Sequence, residues 1–164
     1  MKTPTTAYTT VASPLGDLLL TGDDGSLSGL YLPPHKGAVE VGMDWRRDDE
    51  RFSDAREQLA AYFAGELRTF HLDLAPHGTA FQLRVWQALA EIPYGTTISY
   101  RQLAERVGNP NASRAVGLAN GRNPISIVVP CHRVIGANGA LVGYGAGVER
   151  KRWLLAMEGT LLAG

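Results

Sequence analysis

The organisation of the chain is decided by the stretch SYRQLAERVGNPNASRAVGLANG, residues 99–121. Ser99 followed three residues later by Gln102 forms a capping box, which predicts the start of a short helix. The turn residues 108–110, Gly-Asn-Pro, end that helix, and a second short helix is predicted over residues 112–120. Two short helices joined by a tight turn indicate a helix-turn-helix unit.

The second of these helices carries little that could read base edges. Its residues are mostly small or apolar, and Arg114 is its only charged residue. A helix that reads bases in the major groove normally carries several Arg, Asn or Gln side chains. The composition fits a helix that lies close to a surface. Two alternatives stay open: contact with DNA without base readout, or packing within the fold.

Outward from this stretch, residues 125–134 place the only cysteine beside a histidine. The β-branched run 125–129 predicts a buried strand, and the sequence PCHRV follows directly at 130–134. A lone cysteine is usually a small core residue, but a histidine backed by a carboxylate favours the nucleophilic thiolate. Of the four acidic residues in the second half, Glu158 is favoured to orient His132, and a bridging water is expected between His132 and the thiol.

Composition bounds the function classes. A single cysteine excludes an intramolecular disulfide and any zinc site built on several thiolates. The first six residues lack the apolar run of a signal peptide, and no apolar stretch is long enough to span a membrane. We therefore expect a soluble cytoplasmic protein with no membrane partner.

Charge is segregated although the total is zero. Residues 1–83 carry 7 basic and 12 acidic side chains, whereas residues 84–164 carry 9 basic and 4 acidic ones. Thirteen of the 16 cations are arginine, which suits bidentate contact with phosphate. The second half is thus a candidate for binding nucleic acid, and a solvated basic face is the alternative.

Two domains are predicted, over residues 1–76 and 77–164. The first contains three apolar runs joined by short turns, which indicate an antiparallel meander, and a helix from Ser53 to Ala64. The second is mostly helical, and Thr79 with Gln82 forms another capping box. The histidines of the first half lack metal-ligand spacing and are expected at the surface.

The motifs of the second half resemble, in order and spacing, those of the O6-alkylguanine-DNA alkyltransferases. They cover residues 79–159, and the first half resembles the variable domain of that family more loosely. The resemblance implies an α/β N-terminal domain with a small antiparallel sheet, ribonuclease H-like, and a mostly α C-terminal domain with a winged-helix-like helix-turn-helix. The matching motifs are PCHRV at 130–134, IPYG at 92–95, SY at 99–100, RAVG at 114–117, NP at 123–124, GYG at 143–145 and WLLA at 153–156 with Glu158.

The resemblance implies direct DNA repair. The protein would bind damaged duplex DNA, flip out O6-alkylguanine, and move the alkyl group irreversibly to a cysteine, one lesion per protein. O4-alkylthymine and larger adducts remain open as substrates. The implied catalytic roles are those of Cys131 as nucleophile and acceptor, His132 as base through water, Glu158 as the end of this network, Tyr100 as hydrogen-bond donor to the flipped base, and Asn123 as the residue that holds the turn before the cysteine.

The resemblance also implies a DNA contact set and a base pocket. Arg114 would enter the stack in place of the extruded base, and the other DNA contacts would be Ser99, Tyr100, Ala115, Gly117 and Arg122. The pocket would be lined by Trp86, Pro130, Val134, Tyr144 and Gly145. No cofactor and no metal are expected, because the zinc of some relatives needs N-terminal cysteines. The expected partner is duplex DNA containing O6-alkylguanine, bound by a protein that is monomeric in solution, with clustering on DNA left open.

Two other function classes remain. One is a non-catalytic sensor that recognises alkylated DNA, although such relatives lack the acceptor that Cys131 supplies. The other is a cysteine hydrolase with a Cys-His-Glu set, which would turn over and would leave Arg114 unexplained.

Overall fold

The computed structural model describes residues 6–23, 25–33, 41–42, 44–141, 144 and 147–160. The chain divides into two compact units, Met1–His77 and Gly78–Gly164. Among the described residues, the first unit holds a four-stranded sheet and one α-helix, and the second holds four α-helices and a two-stranded sheet. No helix in the described part is long and apolar enough to cross a membrane.

In the sheet of the first unit, the third, second, first and fourth strands of the sequence lie side by side in that order. Strands β1 (Ala7–Val11), β2 (Leu18–Asp23) and β3 (Ser26–Tyr31) are antiparallel neighbours, which confirms the predicted meander. Strand β4 (Arg46–Arg47) pairs parallel with β1, so the sheet is mixed, and the prediction of a small antiparallel sheet is correct for the first three strands and wrong for the fourth. Two paired residues, both exposed, leave no alternating pattern in the sequence that could reveal a strand.

Helix α1 (Ser53–Phe63) buries Leu59 and Tyr62 completely. The sequence predicts that Ser53 caps this helix, but in the structure Ser53 is the first helical residue. A 3-10 turn over residues 50–52 runs directly into α1, so the backbone is already helical at Ser53. The cap position falls on Phe52, whose side chain makes no capping hydrogen bond.

The second unit is built from four α-helices. Both capping boxes are confirmed, because the side-chain oxygens of Thr79 and Ser99 each accept from the backbone amide of the glutamine three residues later, and their own backbone amides donate to the side-chain oxygen of that glutamine. A parallel pair of two-residue strands joins the segment before the third helix to the segment after Cys131. The elements are α2 (Ala80–Ala90), β5 (Ile98–Ser99), α3 (Tyr100–Arg106), α4 (Ser113–Gly121), β6 (Val134–Ile135) and α5 (Val148–Met157).

Ile125, Ile127 and Val129 are buried, as expected, and the two residues between them are partly buried, but residues 125–129 do not form a strand. Ile127 has a φ of +72°, a left-handed conformation that costs a β-branched residue about 1–3 kcal/mol. The Asn123 side chain closes the turn: its Nδ2 donates to the carbonyl of Val129 at 2.8 Å, and its Oδ1 accepts from the amide of Ile125 at 3.0 Å. The β-branched pattern predicted the burial correctly, but it could not distinguish an extended strand from a turn closed by a side chain.

Candidate active site

Cys131 begins a 3-10 turn, Cys131–Arg133, directly after the closed turn. Its side chain is buried, and its backbone carbonyl accepts from Nδ2 of Asn120 at 3.4 Å. Asn120 lies in the last turn of α4, so that helix is linked to the nucleophile through one amide side chain. The sequence did not single out Asn120, because a polar residue at the end of a helix is common.

His132 and Arg133 both bind the carboxylate of Glu158, which caps the C-terminus of α5. His132 Nε2 lies 2.9 Å from Glu158 Oε2, and both side chains are fully enclosed. Arg133 donates twice to the same carboxylate, from Nε to Oε1 at 2.8 Å and from Nη2 to Oε2 at 2.9 Å. Bidentate, charge-assisted hydrogen bonds of this kind are strong and fix orientation.

The loop after α2 contacts both Arg133 and the backbone of Glu158. Arg133 Nη1 donates to the carbonyl of Ile92 at 2.7 Å. Gly95 has a φ of +79°, and a Cβ there would lie 3.2 Å from the backbone oxygen of Glu158. A side chain at this position would therefore be strained and crowded, which explains why the motif at 92–95 ends in glycine.

The protonation states around His132 follow from burial and partners. Burial raises the pKa of Glu158, but the hydrogen bonds and charges of His132 and Arg133 outweigh it and lower the pKa to about 2. Burial lowers the pKa of His132 despite the opposing effect of Glu158, so the ring is neutral at pH 7. An ionised carboxylate only accepts hydrogen bonds, so Nε2 of His132 carries the proton and Nδ1 keeps its lone pair. That Nδ1 is enclosed and accepts no hydrogen bond from any described residue.

The thiol of Cys131 is not ionised in advance. Burial raises its pKa, and the opposing influences of Asn123, Lys151, its own backbone and Ser126 do not cancel that effect. The thiol is therefore protonated at neutral pH, and attack on an electrophile requires a base to take its proton. The neutral ring of His132 can serve as that base.

Two tyrosines lie near enough to Cys131 for the negative charge of its thiolate form to affect their pKa values. Burial raises the pKa of Tyr100, and the charge of Cys131 adds to the shift. Burial also raises the pKa of Tyr144 well above its ordinary value, again with a contribution from Cys131. Tyr100 opens α3, and a Cβ at Gly117 would lie 3.6 Å from its ring, which is ordinary contact. Both hydroxyls stay protonated at neutral pH and can donate hydrogen bonds.

The other predicted site residues fall into three groups. On α4 and at its C-cap, Arg114, Ala115 and Arg122 are exposed, and Ser99 is occupied as the cap of α3. Trp86 belongs to α2, and its Nε1 donates to the carbonyl of Ala119 on α4 at 2.8 Å. Its place in the base pocket stays a prediction. Pro130 and Val134 are buried on either side of the turn that contains Cys131. Gly145 lies outside the described residues. In the described part, no three His, Cys, Asp or Glu side chains lie together as a metal site would need.

Comparison with known families accounts for both units. Residues 6–76 match the family model described as the ribonuclease-like domain of 6-O-methylguanine DNA methyltransferase, and residues 80–160 match its DNA binding domain. The chain belongs to the O6-alkylguanine-DNA alkyltransferase family. The family resemblance expected from the sequence is thereby confirmed.

Relatives of this alkyltransferase are similar over nearly their whole length. The chain is 54% identical to the methylated-DNA–protein-cysteine methyltransferase of Methanosarcina acetivorans, over 93% of this chain and 98% of that protein. It is 54% identical to the protein of the same name from Mycolicibacterium paratuberculosis, over 92% of this chain and 91% of that protein. The solved structure of Mycobacterium tuberculosis OGT in complex with DNA is 52% identical, with a TM-score of 0.87 and coverage of 93% of this chain and 92% of that one.

Two buried cations of the alkyltransferase site were missed by sequence reasoning. Lys151 is fully enclosed on α5, where its Nζ donates to the carbonyl of Val134 at 2.6 Å. Arg133 is also buried, although it stands in the quoted motif. Both look like solvated charges in sequence. A signal did exist, because Lys151 precedes the buried Leu154 and Leu155 by three and four positions and therefore shares their helix face.

Replacing Lys151 by methionine is expected to raise the pKa of Cys131. Burial lowers the pKa of Lys151 to about 8, so it is still mostly charged at pH 7, and this charge lowers the pKa of the thiol. The rate of Cys131 alkylation by iodoacetamide at pH 7 should fall about tenfold for each unit by which its pKa rises. Lys151→Arg keeps the charge and is the matched control. A pH profile that is unchanged in Lys151→Met would show that the lysine acts only on the backbone.

Proposed function

We propose that this alkyltransferase repairs duplex DNA by moving the alkyl group of O6-alkylguanine to the sulfur of Cys131. One observation carries the assignment of the acceptor: the only cysteine of the sequence lies beside the buried His132–Glu158 pair. The names of the relatives describe transfer from methylated DNA to a protein cysteine, and one related structure contains DNA. The acceptor thiol also argues against a sensor that only recognises lesions.

The transfer is a single displacement at the alkyl carbon. The proton of Cys131 passes through one water to Nδ1 of His132, and Glu158 stabilises the imidazolium that forms. The sulfur then forms a bond to the alkyl carbon while the bond from that carbon to O6 breaks. The electron pair remains on the guanine, where a hydrogen bond from Tyr100 stabilises the developing charge. The product thioether has no good leaving group, so the thiol is not regenerated and one protein repairs one lesion.

DNA binding is assigned to α3 and α4 as a helix-turn-helix. The turn between them is closed by the amide of Ala112, which donates to the carbonyl of Asn109 at 3.0 Å. The exposed face of α4 presents Arg114 among small residues, so its backbone can approach the duplex closely. Arg114 fills the space left when the damaged base is flipped toward Cys131. Contact through phosphate and groove shape makes binding sensitive to salt and tolerant of sequence.

Replacing Arg114 by alanine is expected to slow transfer from O6-methylguanine in duplex DNA by about ten- to a hundredfold, because flipping costs a few kcal/mol and the variant cannot fill the gap. Transfer from free O6-benzylguanine base, which needs no flipping, should keep its rate. Arg106→Ala, which removes an exposed arginine of α3, is the control. Equal losses on the duplex and on the free base would contradict the flipping role.

A further inference from the structure

The last turn of α4 buries a polar side chain on an apolar helix face. Asn120 is 2% exposed and shares the buried face of α4 with Val116 and Ala119. A polar group so enclosed costs free energy unless it is hydrogen-bonded. Its Nδ2 donates to the carbonyl of Cys131 at 3.4 Å. A carbonyl oxygen only accepts, so Nδ2 must face it, and Oδ1 of the same amide faces elsewhere.

Two enclosed acceptors next to the nucleophile find no donor among the described residues. They are Oδ1 of Asn120 and Nδ1 of His132. The first belongs to the side chain that bonds the carbonyl of Cys131, and the second belongs to the residue that follows this carbonyl in the chain. Buried polar groups without a protein partner are commonly satisfied by an enclosed water, which makes about three hydrogen bonds. One water can therefore serve both acceptors.

We infer that Asn120 is a positioning residue, which holds the water that carries the proton from Cys131 to His132. One hydrogen of this water bonds to Nδ1 of His132, and the other bonds to Oδ1 of Asn120. The water oxygen accepts from the thiol. This inference deepens the proposed function and rests on it, since it takes proton transfer through one water as its starting point.

The two acceptors give the water one productive orientation. Both of its hydrogens are committed, so a lone pair is left for the thiol proton. When that proton passes to the water oxygen, the hydrogen on the His132 side moves to Nδ1, which leaves a thiolate, a water and an imidazolium. An amide oxygen is too weak a base to take a proton at neutral pH, so the hydrogen on Asn120 stays in place. Holding the water in advance removes the entropic cost of ordering it during the reaction.

The test measures single-turnover transfer from free O6-benzylguanine base to Cys131, from mildly acidic to mildly basic pH, in the wild type and in Asn120→Leu. Leucine keeps the branched shape of asparagine and removes both polar atoms. The variant should be slower by about tenfold at neutral pH, because the relay is less well ordered. Burial keeps the thiol protonated there, so the deficit should shrink as pH rises and thiolate forms without the relay.

A second background separates the relay from a merely structural role. His132→Gln keeps a side-chain donor for the carboxylate of Glu158 but removes the base at the end of the relay. Asn120→Leu should cost no further rate in this background, since two residues that act through one water are not additive. Gln87→Leu, which removes an exposed amide of α2, is the matched control and should keep the wild-type pH profile.

A wild-type rate in Asn120→Leu at every pH would overturn the inference. An equal deficit at every pH, or in both backgrounds, would also overturn it, because the amide would then act only on the backbone of Cys131. Asn120→Val, which is smaller, should show the same shrinking deficit and keeps the test decisive if the leucine variant fails to fold. Failure of the proposed function would be visible separately, as a wild type that transfers nothing to Cys131, and the relay would fail with it.

Discussion

Replacement of Arg133 by methionine is expected to lower the free energy of unfolding by about 3–5 kcal/mol, the usual cost of removing one partner from a buried ion pair. The variant would remove both hydrogen bonds that Arg133 donates to the enclosed carboxylate of Glu158, and the contact of that carboxylate with His132 would remain. It would also free the carbonyl of Ile92, which accepts from the same guanidinium. Guanidinium chloride unfolding followed by tryptophan fluorescence measures the loss.

An exposed arginine of the same unit provides the control. Arg101 pairs with Glu105 across one turn of α3 at 3.6 Å, and both side chains are largely exposed. Arg101→Met should therefore cost at most about 1 kcal/mol. A similarly small loss in Arg133→Met would contradict the conclusion that the Glu158 cluster is a buried, mutually dependent set.

The pH dependence of the same variant gives a second readout. The folded-state pKa of Glu158 lies at about 2, below its ordinary value of 4.5. A depressed carboxyl pKa stabilises the fold fully above the unfolded value, and the contribution is lost as pH falls from about 4.5 toward 2. The stability difference between the wild type and Arg133→Met should therefore be largest near neutral pH and shrink in that acid range.

Local signals in the sequence predicted the helical framework well. The capping boxes at Thr79 and Ser99 start α2 and α3 where expected, because reciprocal side-chain bonds fix a helix start within four residues. The tight break after α3 and the small residues of α4 were also recognisable. The pairing of His132 with Glu158, chosen among four acidic residues, agrees with the 2.9 Å contact.

Features that depend on distant contacts could not be predicted. The turn at Ile127 exists because Asn123 bridges two backbone groups, which no periodic pattern records. The burial of Lys151 and Arg133 depends on where α5 and the loop after α2 meet the cysteine segment. Composition alone assigns such charges to solvent, so the sequence showed the nucleophile but not the cations around it.

Cys131→Ser is expected to abolish alkyl transfer while preserving DNA binding. A serine hydroxyl has a far higher pKa than a thiol, and the neutral His132 cannot ionise it appreciably in a buried site. Since the chain has one cysteine, no other thiol can replace it. The variant should also keep its fold, because oxygen replaces sulfur with little change in volume.

The most direct test of the account is the mass of the intact protein after incubation with duplex DNA containing O6-methylguanine. The wild type should gain one methyl group per molecule, and peptide mapping should place it on Cys131, while Cys131→Ser should gain none. An unchanged mass in wild type that binds the duplex tightly would contradict the account and indicate a lesion sensor. A methyl group on Cys131→Ser would equally contradict it.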